Sequence, residues 1–118
     1  MSLPAWWDEL SSSTGALDSG DGDLLGIRLS RLARSFSASP AELSERQRSD
    51  MFGLLENVLA HGSEADGNAV ATEFFEALLA AWDEGFDLEA VWHHVGPESR
   101  AYCRAWNEFN GVESPNWM

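Results

Sequence analysis

The sequence predicts an all-α fold, a single-domain bundle of five or six helices. Three observations carry that expectation. Apolar residues recur at three- and four-residue intervals through most of the chain, the spacing of one helix face. Strand-like alternation is almost absent, and no internal repeat interrupts the pattern. Residues that start and stop helices alternate along the chain at helix-length spacing. At 118 residues the chain has the length of one domain. A 13.0 kDa chain buries roughly two-thirds of the surface it exposes when unfolded, enough for a modest core. Three parts are expected: an N-terminal arm and loop over 1–22, a helical core over 23–111 and a C-terminal tail over 112–118.

The elements follow in order. Pro4 opens a short helix through Trp6, Trp7 and Leu10, and the polar run 11–22 reads as a loop. Asp23 is placed to cap a helix ending near Ser37, with Leu25, Leu29, Leu32 and Phe36 on one face and Arg28, Arg31 and Arg34 off it. Ser39, Pro40, Ala41 and Glu42 have the form of a capping box with proline at the first helical position. A helix is expected from there to His61, closed by Gly62, with Leu43, Met51, Leu54, Leu55, Val58 and Leu59 as its apolar set. Gly53 lies mid-run, where glycine costs ~1 kcal/mol against alanine and favours a kink. The next helix starts at Ser63 or within 66–68 and ends before Gly85. Asp87 then caps a short helix over 88–95. Pro97 opens the last helix, Glu98 complements its dipole, and Gly111 supplies a left-handed stop.

Charge is the most conspicuous compositional feature, at −13 net, with every basic residue an arginine. Residues 1–25 hold five acids and no base, whereas residues 26–48 hold five arginines against Glu42 and Glu45. Residues 49–99 hold eleven acids and no base. Nucleic-acid binding needs Lys or Arg to displace counterions, so such a chain is expected to bind none. A basic protein is the expected partner. Part of the acid content simply maintains solubility. On a helix over 69–84, Val70, Phe74, Phe75, Leu78, Leu79, Ala81 and Trp82 fill one half. Glu73, Glu76, Asp83 and Glu84 share an arc of about 100° on the other. That arc is the candidate partner-binding face.

The aromatic residues of the last helix, Tyr102, Trp106 and Phe109, fall with Ala105 at i, i+3, i+4 and i+7, the spacing of one buried stripe. They are read first as core. Together with Trp92 and Arg100 they also form the candidate lining of a ligand pocket between helices. Arg100 and Arg104, four residues apart, are placed to hold an acidic neighbour or a partner's carboxylate. Trp6, Trp7 and Trp117 lie near the chain ends. They are expected to fold back and plug the bundle, with exposed anchoring of a partner as the alternative.

Two segments, "NAVATEFFEALL" at 68–79 and "GPESRAYCRAWNEFNGV" at 96–112, resemble a family of small bacterial proteins known as a domain of unknown function. Its mark is a C-terminal GPxSRxYxxAWxxFxG helix. The resemblance covers roughly half the chain and implies an all-α domain without established catalytic residues. In size and charge the chain is also similar to bacterial immunity proteins.

Other chemistries lack their motifs. No phosphate-cradling glycine loop and no nucleophile elbow occurs. Asp18 to Asp23 fail the calcium-loop pattern, because position 5 is Leu25 when counted from Asp21, and positions 3 and 5 are glycines when counted from Asp18. His93 and His94 are adjacent, so on a helix they point about 100° apart and are not expected to share an ion. No cofactor is expected. Cys103, the lone cysteine, excludes an intrachain disulfide and suits a reducing cytoplasm. The longest apolar run, 77–82, is far short of a bilayer span, and residues 1–10 lack a signal-peptide pattern. A cytoplasmic location is therefore expected. The reading that follows is a non-enzymatic acidic protein-binding module, possessing the character of an immunity or antitoxin-like inhibitor. The alternative is a small-molecule-binding or regulatory helical domain.

Overall fold

The computed structural model describes residues 3–22 and 24–118. Six α-helices make up its frame: α1 (Ala5–Ser13), α2 (Leu25–Ala38), α3 (Glu45–His61), α4 (Glu64–Ala69), α5 (Glu76–Asp83) and α6 (Pro97–Phe109). A π-helical segment, Val70–Phe75, fuses α4 and α5 into one rod, and 3-10 turns lie at Pro40–Glu42 and Glu89–His94. No strand occurs among the described residues, so the all-α expectation holds. The radius of gyration is 13.3 Å, close to the roughly 13 Å of a compact domain of this length.

Local chemistry accounts for the boundaries. Helix α1 runs on to Ser13, beyond the expected loop start at residue 11, because Thr14 closes it with its N–H and hydroxyl on the Leu10 carbonyl. The glycine-rich loop that follows is fastened rather than loose. Asp18 accepts from the Gly20 N–H at 2.8 Å, and Arg28 of α2 donates to the Gly22 carbonyl at 2.8 Å. The expected Asp23 cap lies outside the described residues.

The capping box expected at Ser39 to Glu42 sits elsewhere. Pro40–Glu42 makes only a 3-10 turn, and Leu43 then turns extended and buries its side chain. Ser44 and Gln47 form the actual box, each side chain bonded to the other's backbone N–H, and α3 starts at Glu45. Burying Leu43 requires that break. Helix α3 then stays unbroken across the exposed Gly53. Ser63, not the 66–68 stretch, caps α4 by accepting from the Asp66 N–H.

The π segment adds a residue to the turn, with the Glu76 N–H reaching back to the Ala71 carbonyl. Its wider turn lets both Phe74 and Phe75 enter the core. Phe52 of α3 is the centre of that core, with ring centroids 5.6 Å from Phe36, 6.2 Å from Phe74 and 6.5 Å from Phe75. The first two of these contacts are edge-to-face, and such contacts add to the area these rings bury. Leu54 and Leu59, assigned to the apolar face from sequence, are only partly buried; Met51 is buried as expected, and Phe52, outside that set, goes to the centre.

Both chain ends pack on this bundle. Trp7 is buried, and the Trp6 indole N–H donates to Asp66 at 2.9 Å. Trp117 sits edge-on to both Trp82 and Trp92, at 5.7 Å from each. Gly111 ends α6 at φ +70°, the left-handed stop expected of it.

Candidate functional site: a groove between α5 and α6

The phase of α6 governs the site. Ser99, Cys103 and Asn107 form its buried stripe, four residues apart. The stripe expected from Tyr102, Ala105, Trp106 and Phe109 is thus rotated by one residue, about 100°. Tyr102 and Trp106 are only half-buried, Ala105 is exposed, and Phe109 is 81% exposed. The reason is polar. Glu56 of α3 caps α6 across the bundle, its carboxylate accepting from the Glu98 N–H at 2.9 Å, the Ser99 N–H at 2.9 Å and the Ser99 hydroxyl at 2.8 Å. Burial pushes the Glu56 carboxyl up, but these hydrogen bonds outweigh it and hold the group below its ordinary 4.5. At the other end Asn107 Nδ2 donates to the Ser114 hydroxyl at 3.1 Å, pinning the tail. These anchors turn Ser99 and Asn107 inward, and the outer aromatics follow outward.

The four-residue acidic arc divides in two. Glu73 lies over Gly26 in the first turn of α2, where a Cβ on Gly26 would come within 3.1 Å of its side chain. A carboxylate is favoured beside the positive end of a helix. Glu76 accepts the Tyr102 hydroxyl at 2.5 Å. Burial first, and then the Glu76 hydrogen bond and charge, raise the tyrosine's pKa. Asp83 and Glu84 are exposed, and their carboxylates have no hydrogen bond or ion pair to a described residue. So two of the four acids serve the fold, and two are turned to solvent.

Between α5 and α6 lies a groove of about 370 Å³. Glu76 and Asp83 supply its negative charge, Trp82 and Trp106 its apolar walls, and Val112 and Asn110 its far end. Trp106 stacks on Phe109 at 5.8 Å and 23°. With Phe109 and Val112 both exposed, a large apolar surface borders the acids. An isolated exposed ring is ordinary on a protein surface, whereas a stacked pair beside a groove makes this the candidate recognition surface.

The other candidate residues are used differently. Trp92 is buried, with the Arg100 guanidinium 5.4 Å from its ring centroid. Arg100 donates to the carbonyls of Val95 at 2.8 Å and Trp92 at 2.9 Å, which closes the Glu89–His94 turn. Arg104 donates to the Met118 carbonyl at 2.8 Å. Neither arginine meets an Asp or Glu carboxylate among the described residues. Trp92, Arg100 and Tyr102 are therefore not gathered with Trp106 in one cavity; only Trp106 lines the groove. Cys103 is buried, and burial pushes its thiol up to about 12, which removes it as a nucleophile near neutral pH.

The histidine pair departs from the sequence expectation. On the 3-10 turn the His93 and His94 rings lie 4.0 Å apart, and both reach the same oxygen of Glu45. Helical spacing alone missed this because Glu45 comes from α3, 48 residues away from His93. Hydrogen bonding from His93 leads the causes that hold the Glu45 carboxyl below its ordinary value.

Comparison with protein-family models, with curated proteins and with solved structures returns no match, so the reading of this chain rests on its own residues.

Proposed function

We propose that this chain is a non-enzymatic acidic protein-binding module that docks a basic protein on the α5–α6 groove. Its sharpest form is an immunity or antitoxin-like inhibitor acting in the cytoplasm. One observation carries the reading: Phe109, 81% exposed and stacked on Trp106, borders a groove edged by the solvent-facing Asp83. Aromatic anchors ringed by charge of one sign suit a partner offering a basic side chain beside an apolar one. The surrounding field favours the same partner, because residues 49–99 hold eleven acids and no base. No helix among the described residues is long and apolar enough to cross a membrane.

Affinity capture from the native host, repeated at low and high salt, tests this. A basic partner retained at low salt and released as salt rises is expected, since exposed charge is screened beyond a Debye length of about 10 Å at 0.1 M. Recovery of no protein in either condition refutes it.

A second reading has its own observation. A groove of about 640 Å³ between α2 and α5 is lined by Ala77, Ala80, Ala81 and Phe86, with Arg34 and Glu84 among its polar groups. That volume lies within the roughly 300–1,000 Å³ of small-molecule sites. A metabolite that raises the melting temperature, and loses that effect in Ala81→Phe, would favour a regulatory domain.

A further inference from the structure

We propose that Glu45, His93 and His94 form a binding site for a transition-metal ion of the Zn²⁺ class, at the corner where α3 begins and the Glu89–His94 turn ends. The three side chains offer one ligand atom each, all within 4.8 Å of one another. His94 Nε2 is 3.3 Å from Glu45 Oε2, and His93 Nε2 is 3.5 Å from the same oxygen. Zn–N and Zn–O bonds of about 2.0–2.2 Å at a tetrahedral angle separate neighbouring ligand atoms by about 3.3–3.6 Å. The two spacings from the carboxylate are thus those of a zinc coordination edge.

A second, independent observation points to a ligand. The His94 side chain is 8% exposed, and its buried Nε2, although 3.3 Å from Glu45 Oε2, makes no hydrogen bond of good geometry to a described residue. A buried polar nitrogen left unmatched is costly, and a metal ion at this position would satisfy it. The ring lies parallel to Phe52, at 6.4 Å and 2°, so Nε2 is held facing Glu45.

The supporting groups are in place. Arg48 donates to Glu45 Oε1 at 3.0 Å, which leaves Oε2 to the histidines, and Arg48 Nε is itself anchored on the Pro40 carbonyl at 3.1 Å. Arg100 locks the carbonyls of Trp92 and Val95, which flank the histidine pair. Such outer contacts orient metal ligands. Two imidazoles and one carboxylate suit Zn²⁺ and its borderline neighbours and disfavour Mg²⁺ and Ca²⁺, which take oxygen donors. His93 is 59% exposed and Glu45 is 68% exposed, so a fourth position opens to water.

The test is calorimetric titration of the chelator-treated full chain with ZnSO₄ near neutral pH, and with CoCl₂ followed by visible absorption. One saturating equivalent per chain is expected, with Co²⁺ bands of four-coordinate type and no response to MgCl₂. Losing an outer-shell group costs about 10–100-fold in metal affinity, so losing a ligand should cost at least as much. His93→Ala and Glu45→Gln alter exposed side chains and leave the core intact; each is expected to weaken Zn²⁺ binding at least about tenfold. His61→Ala, at the far end of α3, should bind as the parent does. Absence of saturable binding overturns the proposal. So does binding that survives both variants, or that is lost equally in His61→Ala.

Discussion

The two ends of α6 carry similar residues to opposite effect. At its start the buried and half-buried polar groups have partners within the chain. Glu56 caps the Ser99 and Glu98 amides, Arg100 closes the preceding turn, and Tyr102 is bonded to Glu76. At its end Trp106 and Phe109 stack in the open beside Asp83, which has no such partner. The difference teaches how to read an acidic, aromatic-rich chain. A carboxylate with an internal donor belongs to the fold, and a ring packed on another buried ring belongs to the core. The remaining carboxylates and rings are the ones available for recognition.

That contrast can be broken most severely with phenylalanine. Phe52→Ala removes the ring on which Phe36, Phe74 and Phe75 converge and should cost about 3–5 kcal/mol in urea unfolding. Phe109→Ala should stay within about 0.5 kcal/mol of the parent, as surface changes do. A Phe109 cost approaching that of Phe52 would place this ring in the core.

A smaller effect is expected at the cap. Glu56→Gln keeps the shape but loses the charge and one acceptor, and should cost about 1 kcal/mol at pH 7. The folded pKa of Glu56 lies below its ordinary 4.5, so its contribution is present above that value and lost as pH falls through the folded one. The parent's advantage over Glu56→Gln should therefore shrink below about pH 4.5. An advantage that grows on acidification contradicts the assignment. Gly96 belongs to the same contact, because a Cβ there would lie 2.4 Å from the Glu56 side chain. Smallest of all is Gly53→Ala. A Cβ at this exposed helical position meets nothing within 4 Å, so stability should rise by about 0.5–1 kcal/mol. A loss would mean that α3 needs its glycine.

Much of the fold was legible because periodicity and caps are local. The helix starts at Pro4 and Pro97 and the stop at Gly111 follow from neighbouring residues, and Ser63 was one of two starts that the sequence offered for α4. The capping box forms at Ser44 and Gln47 rather than at the proline-led Ser39 to Glu42, because Leu43 between them is buried, a contact that local spacing does not reveal. What was not legible depended on contacts far apart in the chain. The rotation of α6 follows from Glu56, more than forty residues upstream, and only a Ser99, Cys103, Asn107 spacing hinted at it. The division of the acidic arc required knowing that Tyr102 faces Glu76, and the histidine corner required Glu45.

The most direct measurement compares capture of the native partner by the parent chain and by a Phe109→Ala, Asp83→Arg double variant at low salt, with the unfolding of both chains followed in parallel. Retained stability with loss of capture is the predicted result. Capture that persists in the variant, or is lost only because the variant unfolds, would contradict the assignment of this groove as the binding surface.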